Sequence, residues 1–112
     1  MAYDEGLAER IRMVMVEWPN VGEKKMFGGL AFMVNDYMCC GVLGETLMAR
    51  VGKENYEMAL AKGHVREMDF TGRSMKGYVY VAAEGLAEDD ELAYWVELCR
   101  DFVLTLPPKK KK

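Results

Sequence analysis

Three extended segments follow one another in the first half of the chain, and only two turn-forming residues separate each from the next. The segments cover residues 26–34, 37–43 and 46–51, and the turns between them are Asn35-Asp36 and Gly44-Glu45. Turns of this length join consecutive strands as hairpins. The pattern therefore predicts three antiparallel strands in a meander.

Helical periodicity appears on both sides of these strands. Apolar residues recur at helical spacing from a candidate N-cap, Asp4, to the break at Pro19. A second amphipathic segment follows Asp89 and Asp90, either of which is a candidate cap for a C-terminal helix. We therefore predict one helix at each end of the chain.

The region between the meander and the last helix is shorter and more mixed. Residues 53–61 are rich in helix formers, residues 65–70 fit a short strand, and residues 78–82 are β-branched and aromatic. The predicted order is αβββαββα, an α+β fold in which an antiparallel sheet carries helices on one face as a two-layer sandwich. We expect a single domain over residues 1–106 and a disordered basic tail over residues 107–112.

Two adjacent glycines, Gly28 and Gly29, interrupt the first predicted strand. Glycine pairs permit backbone geometry and close approaches that side chains would forbid. They indicate a kinked strand or a tight contact, and a bulge or bend of the sheet explains them as directly as the close approach of a ligand does.

The charge of the chain is unevenly distributed. The formal net charge is -3, but four of the 15 basic residues are terminal lysines: Lys109, Lys110, Lys111 and Lys112. The part of the chain before them is acidic, which argues against a broad nucleic-acid-binding face because lysine and arginine contacts to phosphate dominate that affinity. We expect at most weak nucleic-acid binding through the lysine tail.

The three cysteines point to a reducing compartment. Cys39, Cys40 and Cys99 are an odd number of thiols, and adjacent residues of a strand point to opposite faces, which disfavours a disulfide between the first two. We expect one of Cys39 and Cys40 to face inward and the other outward. No signal peptide or membrane-spanning segment is recognisable, so we expect a cytoplasmic protein that does not bind membranes.

Neither the thiols nor the single histidine forms a pattern typical of a metal site or of nucleophilic catalysis. We therefore expect no catalytic residues, no cofactor and no metal, and we predict that the protein is not an enzyme. A candidate anion or ligand site combines the glycine-rich turns with three cations, and its residues are Gly28, Gly29, Arg50, Arg73 and Lys76.

Methionine is abundant, with ten residues. Its flexible, polarizable side chain suits surfaces that repack around apolar partners. Strand alternation can turn some of these side chains outward, and the candidate partner-binding residues are Met33, Met48 and Met75.

Several segments together resemble one known family, the N-terminal domain of TfoX/Sxy proteins. The segments are Lys25-Met26-Phe27-Gly28-Gly29, the strand ending Ala49-Arg50-Val51, the run over residues 68–81, and the ending Thr105-Leu106-Pro107-Pro108-Lys109. The resemblance spans almost the entire chain. It implies a two-layer αβββαββα sandwich, similar to secretion-chaperone-like proteins.

The same resemblance implies a bacterial, cytoplasmic and regulatory module. Named members of the family regulate natural competence together with a separate C-terminal helical domain, and this chain stops where that domain would begin. The family supplies no catalytic residues to carry over to this sequence.

Two hypotheses of different class follow. The first is a non-enzymatic regulatory module that binds another protein, or a second copy of itself, through an open sheet face or edge. The alternative is a small-molecule or anion-binding protein that uses Arg50, Arg73 and Lys76.

Overall fold

The computed structural model describes residues 3–26, 28–68 and 77–107. Six strands form one antiparallel sheet in the order β1-β2-β3-β4-β6-β5, which confirms the predicted α+β class. A short 3-10 turn, Ala83–Leu86, precedes the last helix. The elements in chain order are α1 (Glu5–Val14), β1 (Val21–Met26), β2 (Gly29–Val34), β3 (Tyr37–Leu43), β4 (Thr46–Arg50), α2 (Lys53–Leu60), β5 (Val65–Glu67), β6 (Tyr78–Val81) and α3 (Asp89–Val103).

The meander contains one strand more than the sequence predicts. β1 pairs with β2 along its whole length, so four strands rather than three precede α2. The additional strand escapes pattern analysis because its central residues, Gly22, Glu23, Lys24 and Lys25, are all exposed. A strand exposed on both faces has no alternation of apolar and polar residues to reveal it.

The glycine pair shapes the junction between β1 and β2. Gly28 lies in the turn with φ of 75°, a conformation that L side chains rarely adopt. A Cβ atom at Gly29 would collide with the carbonyl oxygen of Val42 on β3. The tight contact that the sequence indicates is therefore confirmed, and it is a contact between strands.

The three helices cover one face of the sheet. α1 and α3 pack against each other and against β3, while α2 packs against β5 and β6. No charged residue is buried in the described ranges. The core on this face is aliphatic, aromatic and sulfur-bearing, and it includes Ile11, Phe32, Val42, Leu47, Val79, Val81, Trp95 and Val96.

The three cysteines are free and buried in this helix-facing core. The ladder between β2 and β3 pairs Phe32 with Cys40 and then Met33 with Met38, which leaves Cys39 as the extra residue of a bulge. The prediction that one of the adjacent cysteines faces outward is wrong, because the bulge interrupts the alternation of side chains along β3.

The opposite face of the sheet carries a second, smaller buried cluster. Met48 and Tyr80 come from the neighbouring strands β4 and β6, and Met68 follows β5. Met38 and Tyr78 pack against them and are partly buried. This face therefore differs in chemistry from the helix-facing one, since methionine and tyrosine replace most of the aliphatic side chains.

The helix ends agree with the sequence to within a few residues. Asp4 caps α1 as predicted, and its carboxylate accepts a hydrogen bond from the Gly6 N–H at 2.9 Å. The N-cap of α3 is Glu88 rather than Asp89 or Asp90, and the Glu91 carboxylate accepts a hydrogen bond from the Glu88 N–H at 3.1 Å. Among the described helices, none combines the length and the apolar character needed to cross a bilayer.

Candidate functional site

A pocket of about 740 Å³ opens where β4 ends and α2 begins. Its walls come from three parts of the fold: the segment from Arg50 to Asn55, the start of β6 at Gly77 and Tyr78, and the last turns of α3. This size is typical of small-molecule sites.

Backbone hydrogen bonds bring these walls together. The carbonyl oxygen of Gly77 accepts hydrogen bonds from the N–H groups of Val51 and Gly52, at 2.8 and 3.0 Å. Gly52 has φ of 87°, and a Cβ atom there would collide with the ring of Phe102 on α3. Glycine is thus required at this position both by its backbone conformation and by the closeness of α3.

Arg50 is the central side chain of the pocket. Its Cζ atom lies 5.7 Å from the ring centroid of Tyr37, 5.5 Å from that of Tyr78 and 5.4 Å from that of Phe102. Its Nη1 atom donates a hydrogen bond to the carbonyl oxygen of Met38 at 3.2 Å. The half-buried guanidinium is therefore held by cation–π contacts and one carbonyl.

No carboxylate pairs with this guanidinium within the part of the chain that the structure describes. The ion pairs found there join Arg10 to Asp89, and Arg12 to Glu9 and Glu23. Arg50 thus brings a positive charge with unused N–H donors to the wall of the pocket.

Three further charged residues line the same pocket. Lys53, Glu54 and Asp101 are exposed, whereas Arg50 is half-buried. Solvent screens exposed charges more strongly than partly buried ones. The electrostatic character of the inner pocket is therefore set by Arg50.

The predicted ligand residues do not all converge on this pocket. Arg50 lines it, but Gly28 and Gly29 lie at the β1–β2 junction and are not among its lining residues. Arg73 and Lys76 lie outside the described residues, so their predicted role stays a prediction.

The three predicted partner-binding methionines differ in where the structure places them. Met33 is half-buried on β2, and Met75 lies outside the described residues. Met48 is fully buried, so the expectation that its side chain is exposed to a partner is wrong. The reason is that Met68 and Tyr80 pack against Met48 on the face opposite the helices.

Sequence reasoning missed the aromatic residues around Arg50. Tyr37, Tyr78 and Phe102 come from β3, β6 and α3, and no spacing rule connects three positions so far apart. Only the cross-strand pairing of Arg50 with Tyr78 follows from strand register, and that register depends on which strands are neighbours.

A second candidate site is the outer edge of β1, the terminal strand of the sheet. Arg12 binds the Glu23 carboxylate through two nitrogens, at 2.7 and 3.0 Å, and this hydrogen bonding lowers the pKa of Glu23. Lys24 and Lys25 are exposed, and neither belongs to an ion pair among the described residues. The edge is therefore locally positive on an acidic domain.

A surface groove of about 1080 Å³ runs beside this edge. Its lining includes Lys24 and the apolar side chains of Val21, Met33, Leu104 and Leu106. The outer backbone edge of β1, Lys24 and several apolar side chains therefore lie next to one another.

The fold and these two sites define a small α+β domain with a pocket beside Arg50 and an edge strand, β1. A model of the TfoX N-terminal domain family matches residues 14–103, and the chain belongs to that family. Searches of curated proteins and of solved structures gave no significant match.

Proposed function

We propose that this TfoX N-terminal domain is a non-enzymatic regulatory module that binds a protein partner by strand addition to β1. The partner contributes an extended acidic segment. The single observation that carries this proposal is the open edge of β1, where Lys24 and Lys25 are exposed without an acidic partner among the described residues.

The two edges of the sheet are not equivalent. β1 has six residues and β5 has only three. A terminal strand presents a row of unpaired N–H and C=O groups that an added strand can satisfy, and a longer strand offers more of them. β1 is therefore the better template for strand addition.

The charges on β1 select among added strands. Because Glu23 is neutralised by Arg12, the unpaired charges on this strand are those of Lys24 and Lys25. An antiparallel second copy that placed Glu23 opposite Lys25 would also place Lys24 opposite Lys24, which is unfavourable. An acidic strand meets no such repulsion, so the lysines disfavour self-pairing and favour an acidic partner.

The groove beside β1 supplies apolar contacts for the same partner. Val21 and Met33 lie on the paired strands β1 and β2, and Leu104 is 49% exposed just after α3. Lys24 and Lys25 are adjacent on β1 and face opposite sides of the sheet, so the acidic residues of an alternating strand meet one of the two lysines while its apolar residues lie on the other side.

The test uses two synthetic eight-residue peptides, one alternating valine with glutamate and the other valine with lysine. We expect the glutamate peptide to bind and to slow hydrogen exchange of the β1 amides, while the lysine peptide binds much more weakly. Lys24→Glu should reduce this preference, because only Lys25 then remains to pair with the glutamates. Lys62→Glu, an equal change of charge far from β1 in sequence, should not.

Equal binding of the two peptides would contradict the proposal, since charge would then not select the partner. Binding of the glutamate peptide without protection of the β1 amides would also contradict it, because the peptide would then dock elsewhere.

A further inference from the structure

We propose that the pocket around Arg50 is a binding site for a small organic monoanion, a carboxylate carried on an apolar or aromatic body. This site is separate from the β1 edge, and it adds a small-molecule ligand to a domain proposed to bind a protein.

The guanidinium of Arg50 has hydrogen-bond donors available for a ligand. Arg50 is half-buried and, among the described residues, donates one hydrogen bond, to the Met38 carbonyl. Its planar fork can offer two parallel N–H groups to a carboxylate, and charge-assisted hydrogen bonds of this kind are short and strong. No carboxylate of the described residues occupies that role, so a ligand carboxylate can take it.

The guanidinium of Arg50 is held in place before a ligand binds. Three rings surround its Cζ atom at 5.4 to 5.7 Å, and Met38 fixes one nitrogen. An arginine in this setting has less conformational freedom to lose on binding than one that is free in solvent. The site is therefore preorganised for an oxyanion.

The shape and lining of the cavity suit an apolar or aromatic ligand body. Its volume of about 740 Å³ accepts a ring-sized body, and Val51, Tyr78 and Phe102 supply apolar and aromatic walls. The first turn of α2 lines the same cavity, and its N-cap, Gly52, makes no side-chain capping hydrogen bond. Backbone N–H groups at the start of a helix favour negative charge, which adds to the effect of Arg50.

The remaining charges favour a single negative charge on the ligand. Glu54 and Asp101 line the pocket and carry two negative charges, against the positive charges of Arg50 and Lys53. These four charges sum to zero, so a monoanion matches the half-buried Arg50 one to one, while the second charge of a phosphate dianion meets no net positive charge. The charge of the lining thus favours the carboxylate of two oxyanions that share the same hydrogen-bonding chemistry.

The test compares four probes that share one apolar body: 2-naphthoate, 2-naphthamide, 2-naphthyl phosphate and 2-naphthylmethylammonium. Binding is measured by calorimetry, and the site is located by amide chemical shifts of Val51, Gly52 and Gly77 in the unmodified chain. We expect 2-naphthoate to bind best and 2-naphthamide to bind roughly ten- to a hundredfold more weakly, the usual factor for a lost charge-assisted hydrogen bond.

Arg50→Met should remove this preference for the carboxylate over the amide. The matched control is Arg66→Met, because Arg66 also stacks on a tyrosine, with its Cζ atom 4.4 Å from the Tyr80 ring centroid, but does not line the pocket. We expect the control to keep the preference. If Arg50→Met does not fold, the four-probe comparison and the amide chemical shifts of the unmodified chain still test whether the pocket binds a carboxylate.

Four results would overturn the proposal: no binding of 2-naphthoate at millimolar concentration, equal binding of acid and amide, tighter binding of the ammonium or phosphate probe, or shifts confined to residues away from the pocket. An unchanged preference in a folded Arg50→Met variant would overturn it as well.

Discussion

The two faces of the sheet differ in what stabilises them and in which polar groups they leave accessible. The helix-facing side is closed by aliphatic, aromatic and thiol groups, and among the described residues no charge is buried there. The other face and its rim combine methionine and tyrosine with arginine, and both Arg50 and Arg66 stack on aromatic rings. The first face is a closed apolar core, whereas the second leaves polar groups accessible at its rim.

Two adjacent residues of β2 test this difference most strongly. Phe32 is 1% exposed and belongs to the helix-facing core, whereas Met33 is half-buried. Phe32→Ala should lower the free energy of unfolding by about 3–5 kcal/mol, because it removes a large side chain from a closed core. Met33→Ala should lower it by only about 1 kcal/mol. Urea unfolding measures both, and similar losses would show that the two sides are packed alike.

The glycine that joins the core to the pocket has the next largest effect. Gly52→Ala imposes a backbone conformation, φ 87° and ψ 158°, that is essentially restricted to glycine and costs about 1–3 kcal/mol, and it pushes a methyl group into the Phe102 ring, which adds about 1–3 kcal/mol. Gly44→Ala is a control for positive φ without crowding, since Gly44 has φ of 60° but no atom within 4 Å of its would-be Cβ. Thermal unfolding should show a clearly smaller loss for Gly44→Ala. Equal losses would mean that contact with Phe102 is unimportant.

The buried thiols make the helix-facing core sensitive to alkaline pH. A hydrogen bond with Cys39, together with burial, raises the pKa of Cys40, and burial raises the pKa of Cys99. Both thiols stay protonated in the folded chain, so their contribution is complete below the unfolded pKa of about 8.5 and is lost as pH rises further. The free energy of unfolding should fall by up to about 1.4 kcal/mol per pH unit for each thiol.

Urea unfolding at a series of pH values from neutral to alkaline measures this slope. Cys99→Ala removes one of the two thiols and should make the slope shallower, even though the variant is less stable at neutral pH. An unchanged slope would show that Cys99 does not titrate differently in the folded and unfolded chains.

The smallest effect concerns a polar atom within the helix-facing core. Tyr56 is 7% exposed, its hydroxyl has no hydrogen-bond partner among the described residues, and burial raises its pKa. Tyr56→Phe should raise the free energy of unfolding by about 1 kcal/mol, because the unpaired hydroxyl is removed while the ring stays. Tyr37→Phe should lower it by about 1 kcal/mol, because the Tyr37 hydroxyl donates to the Pro107 carbonyl. The same sign for both variants would contradict this assignment.

Some elements were predictable from local sequence and others were not. The hairpin turn at Asn35-Asp36 and the Asp4 cap follow from residue chemistry within a few positions, and the structure confirms both. β1 was missed because its exposed residues give no periodic signal, and the outward cysteine was wrong because a bulge interrupts β3. In each failure a neighbouring strand, rather than the residue itself, decides the outcome.

The candidate sites also combine features that local sequence predicts with features that only tertiary contacts create. Pattern and turn chemistry are enough to predict an α+β domain with an antiparallel sheet, because apolar periodicity and turn chemistry act over short stretches of chain. The family follows instead from the resemblance of several segments, and Arg50 is a candidate because it is a cation near the glycine-rich turns. Only the folded chain surrounds Arg50 with Tyr37, Tyr78 and Phe102, buries Met48 and leaves β1 at an edge. These features depend on contacts between residues far apart in sequence, and such contacts exist only once strand order and helix packing bring the residues together.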